Sequence, residues 1–515
     1  MSLYKIARRI VVLFCVCITA SHADDTGDNV AELIESGLKR SDLQSQNCSR
    51  MLKLEDARFV CGYLRVPENY AVKNSDIIKI PFLVIMPEEQ AFDSTLTPLL
   101  VTGGGGPGNA ILGDVYSDLA DDHFWTYEEF SVADGRALMI LENRGVGLSQ
   151  PNLDCHYQPE IFQRDFWPVL LKTDFSCGLN YQSDGVDLSQ YHVRNAALDI
   201  EMFRHLYAKR GINTSQLNLY GISYGTRVAM VYESMFPLAT RSLVLDSVVV
   251  NDQSSGVAEL VHAQRSLDLV FSKCRSEKQC RKKYGLELEK EFYGFLQKLD
   301  TQKISLEVIW PDSAESFAVP LTGSLVVNVL HDALYSSETI ANIPSSIKEL
   351  INGSYDAFTS ELQEHLNAYS SRYAFSDTAF LTYLCFDADY SKKSRRDLSG
   401  FKLYPYWDLE QGRRYMQRVC TEYGIAAKPN RRFNLTVSET PTLFLSGELD
   451  PVTPPENASK AAQRSIYHWN IVRANVSHDV IIHSSCARLL ASWFIYHPQE
   501  DLESRENDCQ AGKIE

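Results

Sequence analysis

Apolar residues along this chain fall into two periodicities, and the place where one replaces the other sets the organisation. Continuous apolar runs of strand length occur at Pro98–Thr102, Ala137–Leu141, Leu217–Tyr220, Ser242–Val250 and Pro441–Ser446, the pattern of strands buried on both faces. Two longer β patterns, Phe59–Val66 and Ile77–Met86, precede them, separated by Pro67-Glu68-Asn69 turn chemistry, and His468–Val476 follows. Helical spacing lies between the runs: Val193, Ala197, Ile200, Phe203, Leu206 and Tyr207 line one face, and a second helix leaves Thr226. Strand alternating with helix predicts an α/β fold with a mostly parallel sheet of eight strands, the first two antiparallel. Alternation stops between about 251 and 435, where helical patterns dominate (Val257–Ser272, Leu286–Leu299, Leu325–Leu334, Ile343–Ile351, Phe358–Ala368). That stretch is too long for a loop and reads as a cap domain inserted after the sixth strand. A final helix is expected at Cys486–Ile495, and Asp24–Gln46 is polar with one short helical pattern (Val30, Leu33, Ile34, Leu38).

The amino end has its own pattern. Lys5, Arg8 and Arg9 precede an apolar run from Ile10 to about Ala20, and Ser21 and Ala23 stand before Asp24. This is the layout of a cleaved signal peptide. The expected division is a leader over 1–23, a core over 24–250 and 436–515, and a helical cap over 251–435. Export, to the periplasm or the medium, follows as an expectation. No other run is apolar and long enough to span a bilayer. The formal charge is −16, and removing a leader of charge +3 leaves −19; nucleic acid is thereby an unfavourable partner. Cys15 and Cys17 leave with the leader, so ten cysteines remain. Spacing suggests the pairs Cys48 with Cys61, Cys155 with Cys177 and Cys274 with Cys280. Cys385, Cys420, Cys486 and Cys509 are left to pair among themselves, sequence order being one arrangement. No spacing suits a zinc site or a redox C-x-x-C, and no cofactor is expected. Asn47, Asn213, Asn352, Asn434, Asn457 and Asn475 are sequons that would permit glycosylation in a eukaryotic secretory route.

Chemistry concentrates at strand ends. The run ending at Tyr220 enters Gly221-Ile222-Ser223-Tyr224-Gly225 and leaves as a helix, the setting in which G-x-S-x-G presents a nucleophilic serine. Gly103 to Gly108 follows another strand, and Gly447-Glu448-Leu449-Asp450-Pro451-Val452-Thr453-Pro454 follows a third. Asp450 is the expected acid, with Asp246 as the alternative, and Glu448 is a turn residue. Among later histidines, His478 follows a strand in a polar loop before the last helix; His483 competes with it. A serine hydroxyl needs an imidazole to take its proton, a carboxylate to orient the imidazole and N–H donors for the oxyanion. The donors expected are the amides of Tyr224 and of Gly105 or Gly106. Ser223, Asp450 and His478 stand in the chain order of α/β-hydrolase triads.

Gly105-Gly106-Pro107-Gly108, Asn143-Arg144-Gly145-Val146-Gly147-Leu148-Ser149, Gly221-Ile222-Ser223-Tyr224-Gly225 and Gly447-Glu448-Leu449-Asp450-Pro451-Val452-Thr453-Pro454, with Cys486 beyond His478, together resemble the proline iminopeptidase and tripeptidyl aminopeptidase family of exported α/β-hydrolases. The resemblance spans most of the chain after the leader. It implies a serine exopeptidase acting on peptides with a free N-terminus, with Ser223, Asp450 and His478 as triad. The chain departs from the family pattern at Gly104, where histidine is common, at Glu142-Asn143 before Arg144, and at Ser477 and Asp479 around His478. Reading a free α-ammonium calls for acids lining the cap. Leu384-Cys385-Phe386-Asp387 resembles the family's Cys-x-Asp/Glu segment, which makes Asp387 the expected contact. Fold and triad also suit an esterase or lipase-like hydrolase, and a non-catalytic binding protein could be built on the same fold.

Overall fold

The computed structural model describes residues 30–104, 106–116, 135–155, 166–250, 256–299, 301–309, 316–370, 375–391, 393–394, 396–425 and 435–510. The expected leader, Met1 to Ala23, lies outside them. Seven strands form before the cap: β1 (Asp42–Gln46), β2 (Phe59–Pro67), β3 (Ile77–Ile85), β4 (Leu99–Thr102), β5 (Leu138–Leu141), β6 (Leu217–Ile222) and β7 (Thr240–Asp246). Within the cap come β8 (Ser305–Ile309) and β9 (Ser316–Pro320), and after it β10 (Thr442–Gly447) and β11 (His468–Arg473). The main sheet runs β1-β2-β3-β5-β4-β6-β7-β10-β11. Its first three pairings are antiparallel and the remaining five parallel.

Apolar alternation along the central strands explains why both faces are covered. Leu100, Met139, Leu219, Leu243, Leu245 and Phe444 face one core, with helices Val193–Tyr207 and Tyr224–Met235. Val101, Ile140, Tyr220, Val244, Leu443 and Leu445 face the other, with helix Ser485–Tyr496. A strand covered on both sides has no polar face, hence its continuous apolar run.

Three departures from the sequence expectation have physical reasons. The sheet has nine strands, not eight, because the polar segment Asp42–Gln46 pairs along β2. Four of its five side chains are exposed, so main-chain bonding holds it without an apolar face. Next, β7 ends at Asp246 because Ser247 takes φ 57° and turns the chain. Finally, the cap contains the antiparallel hairpin β8-β9, whose β8 alternates exposed and buried residues.

Cap residues divide between two cores. Helices Val257–Ser276, Leu288–Leu299, Gly323–Ala333, Ile343–Ile351 and Asp356–Ser370 enclose an apolar cluster of their own. Helices Asp377–Asp387 and Leu409–Glu422 instead contribute Leu381, Tyr383, Met416 and Val419 to the core beneath the sheet. Disulfides join Cys48 to Cys61, Cys155 to Cys177, Cys274 to Cys280, Cys385 to Cys420 and Cys486 to Cys509, the pairs suggested by spacing and sequence order. Among the described residues no helix is long and apolar enough to cross a membrane.

Candidate active site

Ser223 sits between β6 and helix Tyr224–Met235 with φ 50° and ψ −122°, a conformation costly for a residue with a Cβ and held only by its surroundings. Those surroundings are close. A Cβ on Gly225 would lie 2.1 Å from the Thr102 carbonyl oxygen, and one on Gly221 would lie 2.6 Å from that of Gly225. The Ser223 amide donates to the Asp246 carbonyl at 2.9 Å, and the Thr226 hydroxyl donates to the Ser223 carbonyl at 2.6 Å. The turn is thus tied to β4, to β7 and to its own helix.

The expected acid stands just past the end of β10. Asp450 is fully buried; its Oδ1 accepts from the amides of Val452 at 2.9 Å and Thr453 at 2.7 Å. Its Oδ2 accepts from the Thr453 hydroxyl at 2.7 Å and lies 2.8 Å from His478 Nδ1. Nδ1–H therefore points at the carboxylate and leaves Nε2 as the free base. Burial disfavours ionised Asp450, yet His478 and the Thr453 bonds outweigh it and hold the carboxyl at about 2. Burial likewise works against a charged His478, but the Asp450 carboxylate outweighs it, with Asp479 and Asp246 adding, so its pKa is raised. Among the described residues Ser223 Oγ and His478 make no hydrogen bond within 3.5 Å; such links often close only around substrate.

The alternative acid has a different place. Asp246 accepts from the amides of Val480 and Ile481, each at 3.0 Å, from the Tyr220 hydroxyl at 3.1 Å and from the Ser247 hydroxyl at 3.0 Å. It braces the loop after His478 and does not bond the imidazole. Burial, reinforced by the neighbouring Asp479 charge, pushes its pKa up to about 7. His483 ends the short helix Val480–His483 and is not among the partners of Asp450.

The glycine loop passes against Ser223: a Cβ on Gly104 would lie 3.3 Å from that of the serine. Gly106 takes φ 71° beneath the Phe380 ring, while Gly105 lies outside the described residues. The Tyr224 amide opens a helix, where first-turn N–H groups have no intrahelical acceptor.

Asp387 is engaged. Its Oδ2 accepts from the Tyr224 hydroxyl at 2.6 Å and Arg227 Nε at 2.6 Å, and its Oδ1 from Arg227 Nη2 at 2.7 Å. The carboxylate thus ties the cap to the helix behind Ser223. A different acid is open. Glu259, in the first turn of helix Val257–Ser276, is exposed yet surrounded by enough protein that desolvation raises its pKa. One turn on, the His262 ring bonds the Val452 carbonyl at 2.7 Å, and further along the Ser266 hydroxyl bonds the Leu449 carbonyl at 2.5 Å. Glu259 therefore starts a helix that lies on the acid loop. Nothing in the sequence distinguishes Glu259 from any other first-turn helix acid. Thr453 was legible as the third residue after an Asp in a turn.

A family model described as the alpha/beta hydrolase fold matches residues 99–482. A putative hydrolase, YuaR, of Escherichia coli (strain K12) is 22% identical over 421 residues, covering 79% of each chain. A tripeptidyl aminopeptidase of Streptomyces coelicolor is 27% identical over 202 residues, 37% of this chain and 35% of its own. Among solved structures, an alpha/beta hydrolase from a deep-sea metagenome, MGS-M2, aligns with TM-score 0.36 at 11% identity over 82% of this chain and 96% of its own. An acetyl xylan esterase of Thermoanaerobacterium aligns with TM-score 0.36 at 11% identity over 91% and 92%. With the family model covering most of its length and a nine-stranded, mostly parallel sheet behind Ser223, this chain belongs to the alpha/beta hydrolase family.

Proposed function

We propose that the chain is an exported serine exopeptidase that removes residues from the free N-terminus of short peptides through an acyl-enzyme. Ser223 Oγ attacks the scissile carbonyl carbon while His478 Nε2 takes the hydroxyl proton. The amides of Tyr224 and the glycine loop meet the oxyanion, and the imidazolium returns its proton to the departing amine. Water, deprotonated by the same nitrogen, then releases the acyl group. Five disulfides support an oxidising compartment.

What supports peptide over ester is the likeness to a tripeptidyl aminopeptidase, together with an exposed acid, Glu259, in the first turn of the helix that lies on the Asp450 loop. An amide with a free α-ammonium gains from an accessible carboxylate, whereas an acyl ester has no cation to place there. Asp387, the contact expected from sequence, already faces Arg227. Its negative charge is met, so we assign the ammonium to Glu259 and the cap tie to Asp387. The test is a panel of prolyl, alanyl and tripeptidyl aminoarylamides beside short acyl esters. Glu259→Gln should raise KM on free-amine substrates about 10-fold to 100-fold, the worth of one charge-assisted bond, and leave N-acetylated ones unchanged. Turnover of esters alone would establish the esterase instead.

A further inference from the structure

Five consecutive backbone amides carry the loop around His478, and their acceptors come from two sides. The cap takes the first two: the Ser477 amide donates to the Ser337 hydroxyl at 2.9 Å and the His478 amide to the Tyr335 carbonyl at 3.1 Å. The core takes the next three, with Asp479 donating to the Ser247 hydroxyl and Val480 and Ile481 to the Asp246 carboxylate, each at 3.0 Å. Two further contacts belong to the cap side. The buried Ser477 hydroxyl donates to the Leu334 carbonyl, and the Tyr335 ring stands edge-on to the His478 ring with centroids 5.2 Å apart. All the cap partners lie in one turn, Leu334 to Ser337, between helices Gly323–Ala333 and Ser337–Ile340.

From this division we infer that the cap turn Leu334–Ser337 is a positioning element for His478, so that the base is held in register with Ser223 only while the cap is seated. The inference rests on the proposed triad role of His478. Its physical content is that the imidazole hangs from a loop whose amides on one side have no core acceptor. If the cap contacts are lost, the loop keeps its attachment at Asp246 but is released at the residue that matters. Displacement of a reacting group by about 1 Å can cost on the order of 100-fold in rate.

The test uses the full chain and a fluorophosphonate probe, which reports Ser223 reactivity without reference to peptide or ester. Ser337→Ala and Ser477→Ala should each slow labelling about 10-fold to 100-fold and weaken or broaden the low-field proton resonance of the His478 to Asp450 bond. On a turned-over substrate kcat should fall with KM nearly unchanged, and Ser337→Thr, which keeps the hydroxyl, should restore the rate. Variants that label at the wild-type rate with an intact resonance, whatever their melting temperature, would overturn the positioning role and reduce the turn to a structural contact. A wild-type chain that takes no label at Ser223 would overturn the triad itself, and the coupling with it.

Discussion

Gly447 marks how little room surrounds the His478 loop. A Cβ there would lie 1.8 Å from the Ser477 carbonyl oxygen and 2.6 Å from that of Val476, so the end of β10 and the loop carrying His478 cross at backbone contact. Gly447→Ala should push that loop off Asp450 and slow fluorophosphonate labelling by about 100-fold, with the circular dichroism of the fold retained; an unchanged rate would show that the loop can move aside without loss. The acid makes a pH-dependent prediction. On the proposed triad, catalysis needs neutral His478, so the rate rises with pH through its pKa, and Asp450 holds that pKa above its ordinary value of about 6.5. The acid limb of kcat/KM should therefore have its midpoint above 6.5. Asp450→Asn should lower kcat about 10⁴-fold by losing the tautomer and move the limb to lower pH, although Asp479 and Asp246 still act on the ring. An unmoved limb would assign it to another group. That Ser223, Asp450 and His478 each follow a strand, with His478 beside Asp450, was legible from the order one fold imposes; their catalytic roles are the proposal. Tyr335 and Ser337 were not legible, since their partners lie about 140 residues away and nothing local marks a turn that receives another loop's amides.

Elements show which motifs carry structure instead of chemistry. Arg144, part of the quoted resemblance, is fully buried at the end of β5 and grips Asp199 of helix Val193–Tyr207 with two bonds, at 2.7 and 2.6 Å. Its remaining nitrogen reaches the Glu68 and Gln190 carbonyls at 2.7 and 3.1 Å, and the Tyr70 hydroxyl donates to Asp199 at 2.6 Å. The sequence marked Arg144 through a motif but not its purpose, because its partner comes from a helix read only for its apolar face. A buried pair broken on one side leaves an uncompensated charge. Arg144→Met should therefore cost about 3–5 kcal/mol in denaturant unfolding, and adding Asp199→Leu and Tyr70→Phe should recover part of that loss. A single variant as stable as wild type would mean water or a neighbour replaces the guanidinium. β1 escaped a reading based on apolar runs because its ladder rests on main-chain bonds, which leave little trace in composition, and the β8-β9 hairpin because its strands are only five residues each.

Across the whole molecule, the cap read as one helical insertion is fixed to the rest in two ways. The helices that own a separate core meet the loops of Asp450 and His478, whereas Asp377–Asp387 and Leu409–Glu422 are built into the core under the sheet and carry the Asp387 tie to Arg227. Hydropathy suggests an insertion over 251–435 but not this division, since an apolar helix face does not say which core receives it. The disulfides follow the same line. Cys385–Cys420 joins the two cap helices built into the core under the sheet across 35 residues, and Cys274–Cys280 closes 6 residues at the far end of helix Val257–Ser276. Loop-closure entropy assigns about 4 kcal/mol to the longer bridge and about 2 kcal/mol to the shorter. Paired Cys→Ala substitutions should therefore separate in guanidinium unfolding by about 2 kcal/mol, and they should separate further in activity. Losing Cys385–Cys420 frees the helix that ends in Asp387 and should slow labelling of Ser223, whereas losing Cys274–Cys280 should lower stability and leave the labelling rate of the folded enzyme unchanged. Equal rates in both variants would mean that Arg227 and Tyr224 alone hold Asp387 in place.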